Sequence, residues 1–156
     1  MGVEDVRAPR AVDRLGMLLA RHGTITNVRM RQALGVTGLT PRHAVTLMNL
    51  EERGPMGQQA LIEALAVDPS VLVAILNDLE RDGLAERRRD PADRRRHIVE
   101  MTAAGADALT KVQEALTTLE RELCSALDDE EIVQLHGLLS RINTSVEEEK
   151  KACAEE

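Results

Sequence analysis

Arginine is concentrated in one short part of this 156-residue chain, and that part is the strongest candidate for chemistry. Residues 81–96 contain seven arginines and four acidic residues, so their net charge is +3, although the whole chain has a formal charge of -7. The acidic excess lies in residues 120–156. Guanidinium groups bind phosphates and the negative potential of a narrow minor groove. The arginine cluster therefore favours DNA binding over its alternative, a solvated charged edge that protects a sheet from aggregation.

No residue pattern in the chain is typical of an enzyme or a metal centre. The sequence shows no nucleophile paired with a base, no glycine-rich phosphate loop and no paired catalytic carboxylates. The four histidines lack the i, i+3 or i, i+4 spacing that places two ligands on one helix face. The two cysteines, Cys124 and Cys153, do not make a disulfide framework. We therefore predict a protein that is not an enzyme and that has no metal and no cofactor.

Composition and hydropathy predict a globular domain. Hydrophobic residues make up 43% of the chain and aromatic residues 0%, so the core must consist of aliphatic side chains and methionine. No apolar run approaches the roughly 20 residues that span a bilayer, and the N-terminus lacks an apolar signal core. We therefore expect a cytoplasmic protein that does not contact a membrane.

The elements that must position the arginines are predicted to be mostly helices. Apolar residues at helical spacing predict a first helix over residues 11–34, in which Gly23 allows a kink. An N-cap residue precedes a proline at Thr40-Pro41 and again at Asp68-Pro69, which indicates two helix starts. The helices predicted there cover 41–53 and 69–82, and a shorter helical segment lies between them over 57–65. The short segment over 57–65 and the helix over 69–82 together have the pattern of a helix-turn-helix motif.

The cluster itself lies in the one stretch that is typical of β-structure. Residues 84–89 and 95–101 flank the turn Asp90-Pro91-Ala92-Asp93, which predicts a β-hairpin with an arginine-rich tip. Thr102 and the pair Asp128–Glu131 are predicted to cap two long helices that follow. Apolar residues recur in both every three or four positions, and the second stripe continues to Val146. These stripes exceed what a small domain covers, so we expect dimerisation.

The segment LERDGLAERRRDPADRRRHIVEMTAAG, residues 79–105, carries a specific resemblance. It is similar almost position by position to the wing signature of the MarR (multiple antibiotic resistance regulator) family, in which L-E-x-x-G-L-x-x-R-x-x-D-P-x-D-R-R leads into L-T-x-x-G. DDEEIVQLHGLLSRI, residues 128–142, resembles that family's last helix. The resemblance covers residues 11–146.

The resemblance implies a mainly α fold with a small β-hairpin wing, the winged helix-turn-helix of a homodimeric transcription regulator. Such a protein would be a repressor that binds a pseudo-palindromic operator in double-stranded DNA and responds to a small-molecule effector. The implied parts are a flexible N-terminus (1–10), dimerisation helices (11–38 and 102–146), a DNA-binding lobe (39–101) with its helix-turn-helix (57–80) and wing (84–101), and an acidic tail (147–156).

The resemblance also indicates which residues contact DNA. In the family an arginine of the Asp-Arg-Arg triplet enters the minor groove, which points here to Arg94 or Arg95. Asp93 is expected to orient them by a charge-assisted bond. The predicted DNA-binding set is Gln58, Ser70, Val71, Ala74, Asn77, Arg88, Arg89, Asp93, Arg94, Arg95 and Arg96.

The recognition helix departs from the family pattern. Val71, Val73 and Ala74 stand where members commonly carry threonine and arginine, which leaves Ser70 and Asn77 as the exposed hydrogen-bonding candidates. Such a helix contacts thymine methyl groups but lacks the bidentate arginine that reads guanine. Two interpretations stay open. Sequence is read mostly through DNA shape and the wing, which we favour, or the module binds protein and has lost DNA binding.

Two further sets of residues complete the prediction. The resemblance implies an effector site near the cleft between the dimerisation and DNA-binding regions. For Arg21, one of the candidates, a solvated helix face is the simpler interpretation. Its candidates are Arg21, His22, His43 and Met48. The predicted dimer contacts are Leu15, Leu116, Leu119, Leu123, Leu135, Leu139 and Ile142. Cys124 follows Leu123 and is predicted to be a small packed hydrophobe.

Overall fold

The computed structural model describes residues 11–142, which form helices and one small antiparallel sheet. After a single 3-10 turn at Ala11–Asp13, the elements are α1 (Leu15–Gly35), α2 (Pro41–Arg53), β1 (Met56–Gly57), α3 (Gln58–Leu65), α4 (Pro69–Arg81), β2 (Ala85–Arg89), β3 (His97–Met101), α5 (Ala103–Leu123) and α6 (Asp129–Arg141). The predicted class, mainly α with a hairpin wing, is confirmed. The chain divides into two compact units between Leu119 and Glu120, inside α5.

The core of the first unit consists of aliphatic side chains and methionine, as the absence of aromatic residues requires. Every helix from α1 to α5 and the central strand β3 contribute buried side chains, the largest of which are Leu34, Leu47, Leu61, Leu72, Leu76, Leu79, Val99, Leu109 and Val112. Thr46 is the one buried polar residue within the described part of the chain, and its hydroxyl donates to the Arg42 carbonyl oxygen at 2.8 Å. The buried hydroxyl of Thr46 is thus satisfied within the chain.

The starts of α2 and α4 follow from the proline signals, although only one has the predicted cap. The Thr40 hydroxyl accepts the His43 backbone N–H, and His43 completes a capping box. At α4, Pro69 occupies the first turn, but the Asp68 carboxylate makes no capping hydrogen bond, so that detail of the prediction is wrong. The Asp68 carbonyl oxygen already accepts the N–H of Val71 at 3.0 Å, and proline has no N–H to offer.

Helix α1 differs from the prediction in two respects. It continues without a break through Gly23, where a kink was allowed, and the Thr24 hydroxyl donates to the Ala20 carbonyl oxygen at 3.0 Å. Leu34 is its one buried residue, whereas Leu15 is 67% exposed. The predicted apolar stripe lies along α1, but most of its side chains are exposed within residues 11–142.

The sheet contains a strand that the sequence did not predict. Its order is β1-β3-β2, and both pairings are antiparallel. Strand β1 has two residues, paired as Met56 with Val99 and Gly57 with Ile98. So short a segment has no readable periodicity. In the hairpin, Ala85 pairs with Met101, and β3 begins at His97 rather than at residue 95 because residues 90–96 form the tip.

The first turn of α5 is fixed to the connection between α4 and β2. The Thr102 hydroxyl accepts the Gly105 N–H at 3.0 Å, as its predicted cap role requires, and donates to the Gly83 carbonyl oxygen at 2.6 Å. Gly83 itself ends α4 with a φ of 71°, the left-handed conformation that glycine adopts without strain. A Cβ atom on Gly105 would overlap the Leu84 carbonyl oxygen. The two backbones therefore pack together only because residue 105 is glycine.

The second unit contains α6, which has no buried residue. Asp128 and Glu131 form the predicted capping box, with N–H···O distances of 2.9 Å in both directions. Leu138 is 57% exposed and Leu139 is 45% exposed. Ile142 follows the end of the helix rather than continuing its stripe, and Val146 and the acidic tail lie outside the described residues.

Within residues 11–142, no single helix is long and apolar enough to cross a membrane. Helices α3 and α4 reach such a composition only as a pair, and they are bent by 109° at the break between them.

Replacing Gly105 by alanine tests the close packing of α5 on Leu84. The added methyl group must displace a backbone carbonyl, so we expect Gly105→Ala to lower the free energy of unfolding by about 1–3 kcal/mol, measured by urea denaturation. Gly23→Ala is the matched control, because nothing lies within 4 Å of its Cβ position and alanine favours a helix interior. Equal stability of the two variants would contradict the packing argument.

Candidate nucleic-acid interface

The recognition helix α4 presents one exposed face. Ser70, Val73, Ala74 and Asn77 are all exposed and recur at helical spacing, whereas the opposite face supplies Leu72, Ile75, Leu76 and Leu79 to the core. Val71 is half-buried against the core, and Gln58 is half-buried as the first residue of α3. The exposed face is therefore narrow and largely apolar, and Val73 is 44% exposed.

The tip of the hairpin is held by two aspartates. Asp90 accepts the Ala92 N–H at 2.8 Å, and Asp93 accepts the Arg95 N–H at 3.0 Å. Asp93 also lies 3.6 Å from the Nε of Arg96. The expectation that Asp93 orients the guanidinium groups of Arg94 or Arg95 is wrong in this detail. Its carboxylate fixes the turn backbone and pairs with the next arginine along the chain.

Most arginines of the wing are already engaged within the chain. Arg88 pairs with Glu100 across the hairpin at 2.8 Å, and Arg89 donates to the Arg94 carbonyl oxygen at 3.2 Å. By contrast, the exposed side chains of Arg94 and Arg95 have no ion pair among residues 11–142. The tip therefore presents two uncompensated guanidinium groups, on a turn whose backbone is rigidly bonded.

Arg87, which sequence reasoning did not include in the site, joins the wing to the recognition helix. Its Nε donates to Glu80 at 3.0 Å, and its backbone N–H donates to the same carboxylate at 2.9 Å. Its Nη2 donates to Glu80 and, at 2.7 Å, to the Oδ1 of Asn77. The Arg87 side chain is 25% exposed, and the Glu80 side chain is 31% exposed. The only sequence signal was the Glu and Arg spacing of the wing signature.

These hydrogen bonds shift the protonation equilibria of both partners. The hydrogen bond from the Arg87 guanidinium lowers the pKa of Glu80 below its ordinary value of 4.5, against the opposing effect of burial. The same bond raises the pKa of Arg87. Both shifts favour the charged forms, so the joint is an ion pair near neutral pH.

A second polar contact connects α4 to α2. The carboxylate of Asp78 lies 3.2 Å from the Nε2 of His43 and 2.9 Å from the Nη1 of Arg81. Because the Nδ1 of His43 accepts the Thr40 N–H, the ring proton lies on Nε2 and is donated to Asp78. Arg81 therefore offsets the charge of the Asp78 carboxylate, and the hydrogen bond from His43 connects that carboxylate to α2.

A cleft of about 350 Å³ lies between α2 and α4. It is lined by Thr40, Arg42, His43, Ser70, Val71, Ala74, Ile75 and Asp78. Of the effector candidates, His43 alone belongs to this lining. Arg21 and His22 are exposed on α1, and Met48 packs against the core from α2. The structure therefore does not bring the four candidates together in this cleft.

The predicted dimer contacts differ in how much surface they offer. Leu119 is only 6% exposed, and Leu116 is half-buried against the core, so both are largely covered within the single chain. Ile142 is half-buried, and Cys124 is a half-buried free cysteine. The exposed members of the set are Leu15, Leu123, Leu135 and Leu139. Cys153 lies outside the described residues.

Comparisons with known proteins agree with this geometry. The model of the MarR family matches residues 37–96. A Thauera aromatica protein, described as a transcriptional regulatory protein for the hcr operon, is 34% identical over 124 residues, which are 78% of this chain and 75% of that protein. A probable transcriptional regulator from Pseudomonas aeruginosa is 30% identical, with a TM-score of 0.76 over 85% of this chain and 98% of its own.

A structure that contains DNA shares the fold. A variant of MarR from E. coli in complex with operator DNA is 24% identical and has a TM-score of 0.73, over 81% of this chain and 91% of its own. The matched proteins are transcription regulators rather than enzymes.

The Glu80–Arg87 pair predicts a stability difference that depends on pH. Because folding lowers the pKa of Glu80, its contribution is fully present above about pH 4.5 and is lost as the pH falls through the lowered value. We expect Glu80→Gln to cost about 1–2 kcal/mol of unfolding free energy at neutral pH, and the difference from wild type to shrink in acid. Urea denaturation at a series of pH values measures it.

Glu114→Gln, an exposed carboxylate on α5, is the control and should change stability little at any pH. A cost for Glu80→Gln that stayed constant down to the acid limit would show that the ion pair is not its source.

Proposed function

This chain belongs to the MarR family of DNA-binding transcription regulators, and on that premise we propose that it is a homodimeric repressor of a pseudo-palindromic operator. The observation that carries the proposal is the pair of guanidinium groups without an ion pair among residues 11–142, Arg94 and Arg95, at the tip of the hairpin that follows α4 in the chain. Two neighbouring cations without ion pairs, on a turn whose backbone is hydrogen-bonded, create a local positive potential that attracts phosphate groups and a narrow minor groove.

In the proposed complex, α4 enters the major groove and the wing enters the adjacent minor groove. Ser70, Ala74 and Asn77 face the base edges. The methyl group of Ala74 contacts thymine methyl groups, and the hydroxyl group of Ser70 contacts phosphate. Arg94 and Arg95 enter the minor groove, where A·T-rich sequence narrows the groove and strengthens its negative potential. Gln58, Arg88 and Arg89 lie beside these elements and contact the backbone, whereas Arg96 is held by Asp93.

Two-fold symmetry supplies the second half of the site. The exposed apolar side chains of α1 and α6, among them Leu15, Leu135 and Leu139, support a dimer because α6 has no buried residue of its own. Such a dimer places its recognition helices in successive major grooves, about 34–36 Å apart, so half-site centres lie about 10 base pairs apart.

The cleft between α2 and α4 supports regulation by a small-molecule effector. Its wall contains Val71, Ala74 and Ile75, which give an apolar surface, and the exposed Arg42 guanidinium suits an anionic group. A ligand in this cleft occupies the side of α4 that the proposed DNA complex uses. The protein acts on DNA in the cytoplasm in this proposal.

A charge on α6 tests the dimer. Leu139→Asp places an unpaired carboxylate in the proposed interface, so we expect it to abolish the dimer in sedimentation velocity and to lower the thermal midpoint strongly. Gln134→Asp, an exposed polar position on the same helix, adds the same charge and should change neither. The wild-type midpoint should rise with protein concentration. A stably folded wild-type monomer at micromolar concentration would rule out the proposed assembly.

The wing is tested by removing both free guanidinium groups. We expect the double variant Arg94→Ala/Arg95→Ala to weaken operator binding at least tenfold, more than Ser70→Ala, and to reduce the slope of log affinity against log salt by about 0.9 per lost phosphate contact. Arg141→Ala on α6 removes one charge far along the chain and serves as the control. Fluorescence anisotropy with an operator and a scrambled duplex measures both quantities.

An unchanged affinity in the double variant would exclude the wing from the DNA interface, and a wild-type protein that binds neither duplex would favour the second candidate function. The largely apolar face of α4, with Val73 44% exposed, suits a protein partner, and the module would then be a winged helix that binds protein without DNA.

A further inference from the structure

Helix α1 and the residue that precedes it carry charge of one sign only. Residues 14–35 contain four arginines and no acidic residue, so their net charge is +4. All four arginines are exposed, and none forms an ion pair within residues 11–142. They are Arg14, Arg21, Arg29 and Arg31. The described part of the chain therefore leaves this positive charge unpaired.

Two of these arginines border exposed apolar side chains of the same helix. Ile25 lies four residues after Arg21 and four residues before Arg29, a spacing that makes side chains neighbours on a helix surface. Val28 lies seven residues after Arg21 and extends the same face. Ile25 and Val28 are both exposed. This basic face of α1 thus combines apolar side chains with cationic borders, as helices that pack against a partner helix do.

The second unit has the opposite charge. Residues 120–142 contain six acidic residues and two arginines, so their net charge is -4. All eight charged side chains are exposed, and none forms an ion pair with another described residue. The acidic residues are Glu120, Glu122, Asp128, Asp129, Glu130 and Glu131. We refer to the exposed side chains of residues 120–142 as the acidic surface.

The acidic surface also borders exposed apolar side chains. Glu120 lies three residues before Leu123 at the end of α5, and Asp129 lies three residues before Ile132 in α6. Residues three apart are neighbours on a helix surface, and both Leu123 and Ile132 are exposed. The basic face and the acidic surface therefore have the same construction with opposite signs.

The signs of these charges determine which surfaces of two copies attract each other. Contact between two α1 helices sets arginines against arginines, and contact between two acidic surfaces sets carboxylates against carboxylates. Like charges across an interface cost free energy, whereas opposite charges favour association. Contact of α1 in one copy with the acidic surface of the other pairs +4 with -4. A two-fold axis forms this contact twice, because each copy supplies both surfaces.

We propose that the homodimer is formed by two such crossed contacts, in each of which the basic face of α1 in one protomer packs against the acidic surface of its partner. The proposal rests on the proposed function, because it assumes a dimer. It names the two surfaces that meet. Charge, in addition to apolar area, then becomes the property by which a chain selects a second copy of itself.

Reversing the charge of one surface at a time tests the crossed contacts. Arg21→Glu/Arg29→Glu makes the basic face acidic, and Glu120→Lys/Asp129→Lys makes the acidic surface basic. Each double variant places like charges across both contacts, so we expect its homodimer to be at least about tenfold weaker than that of wild type in sedimentation velocity. The lysine variant lowers the net negative charge of the chain, so overall repulsion does not explain its loss.

Mixing the two double variants is the decisive measurement. In a mixed pair the acidic α1 of one chain faces the basic second unit of the other, and the second contact has the wild-type charges on both sides. We therefore expect the mixture to form a heterodimer with close to wild-type affinity, counted by native mass spectrometry. Its formation also shows that both variants fold. The single substitutions Arg21→Glu and Asp129→Lys replace any double variant whose circular dichroism is lost.

Charge reversals on α2 are the matched control. Arg53→Glu and Glu52→Lys change exposed side chains outside both surfaces, so each should homodimerise like wild type and show no preference for the mixed pair. In about 1 M sodium chloride the Debye length falls to about 3 Å, and the preference of the two double variants for each other should largely disappear. A preference that salt left unchanged would assign it to packing and overturn the role of charge.

The outcomes separate this proposal from the one on which it rests. If the two α1 helices faced each other instead, Arg21→Glu/Arg29→Glu would homodimerise as well as wild type and would exchange readily into wild-type dimers. That result, or two double variants that fold but do not associate when mixed, overturns the crossed contacts and leaves the dimer standing. A wild-type protein that is a stable monomer overturns both proposals.

Discussion

The ion pair between Glu80 and Arg87 is the contact on which the arrangement of α4 and the wing depends. One partner lies near the end of the recognition helix and the other in the first strand of the wing, so the pair sets how these elements lie relative to each other. The base of the hairpin is held by the pairing of β3 with β1 and by the buried side chains of Ala85 and Val99, which leaves the tilt of β2 against the end of α4 to be fixed. The fork of hydrogen bonds, together with the bond to Asn77, fixes this tilt.

Around this joint, two groups of charged side chains in the lobe differ in how they are held. One group is paired within the chain, and includes Arg88 with Glu100 and Asp78 with His43 and Arg81. These contacts connect helix to helix and strand to strand. The other consists of the tip arginines, Arg94 and Arg95, whose backbone is fixed while their side chains are free. Such a division reduces the entropy lost when the free group binds, because the scaffold beneath it is already ordered.

Sequence patterns predicted the fold closely and the site only in part. Helix starts were predicted correctly because capping signals are local. They are Thr40-Pro41, Asp68-Pro69, Thr102 and the Asp128–Glu131 capping box. Strand β1 was missed since two residues have no period, and the exposure of α1 could not be read from its stripe, because periodicity identifies an apolar face without saying what covers it. Arg87 was missed because its partners, Glu80 and Asn77, lie on another element. The bond between Asp93 and the backbone of Arg95 depends on turn geometry that composition does not encode.

The contact between Gly105 and the Leu84 carbonyl has a mechanical consequence. The first turn of α5 touches the linker between the recognition helix and the wing with no space between the backbones, and Thr102 bonds it to Gly83. Because no space separates the two backbones, neither can move toward the other, and a displacement of one displaces the other. Any shift of the start of α5 is therefore imposed on the linker at Gly83 and Leu84, and through it on the end of α4. The junction therefore couples the position of α5 to the positions of the wing and of the end of α4.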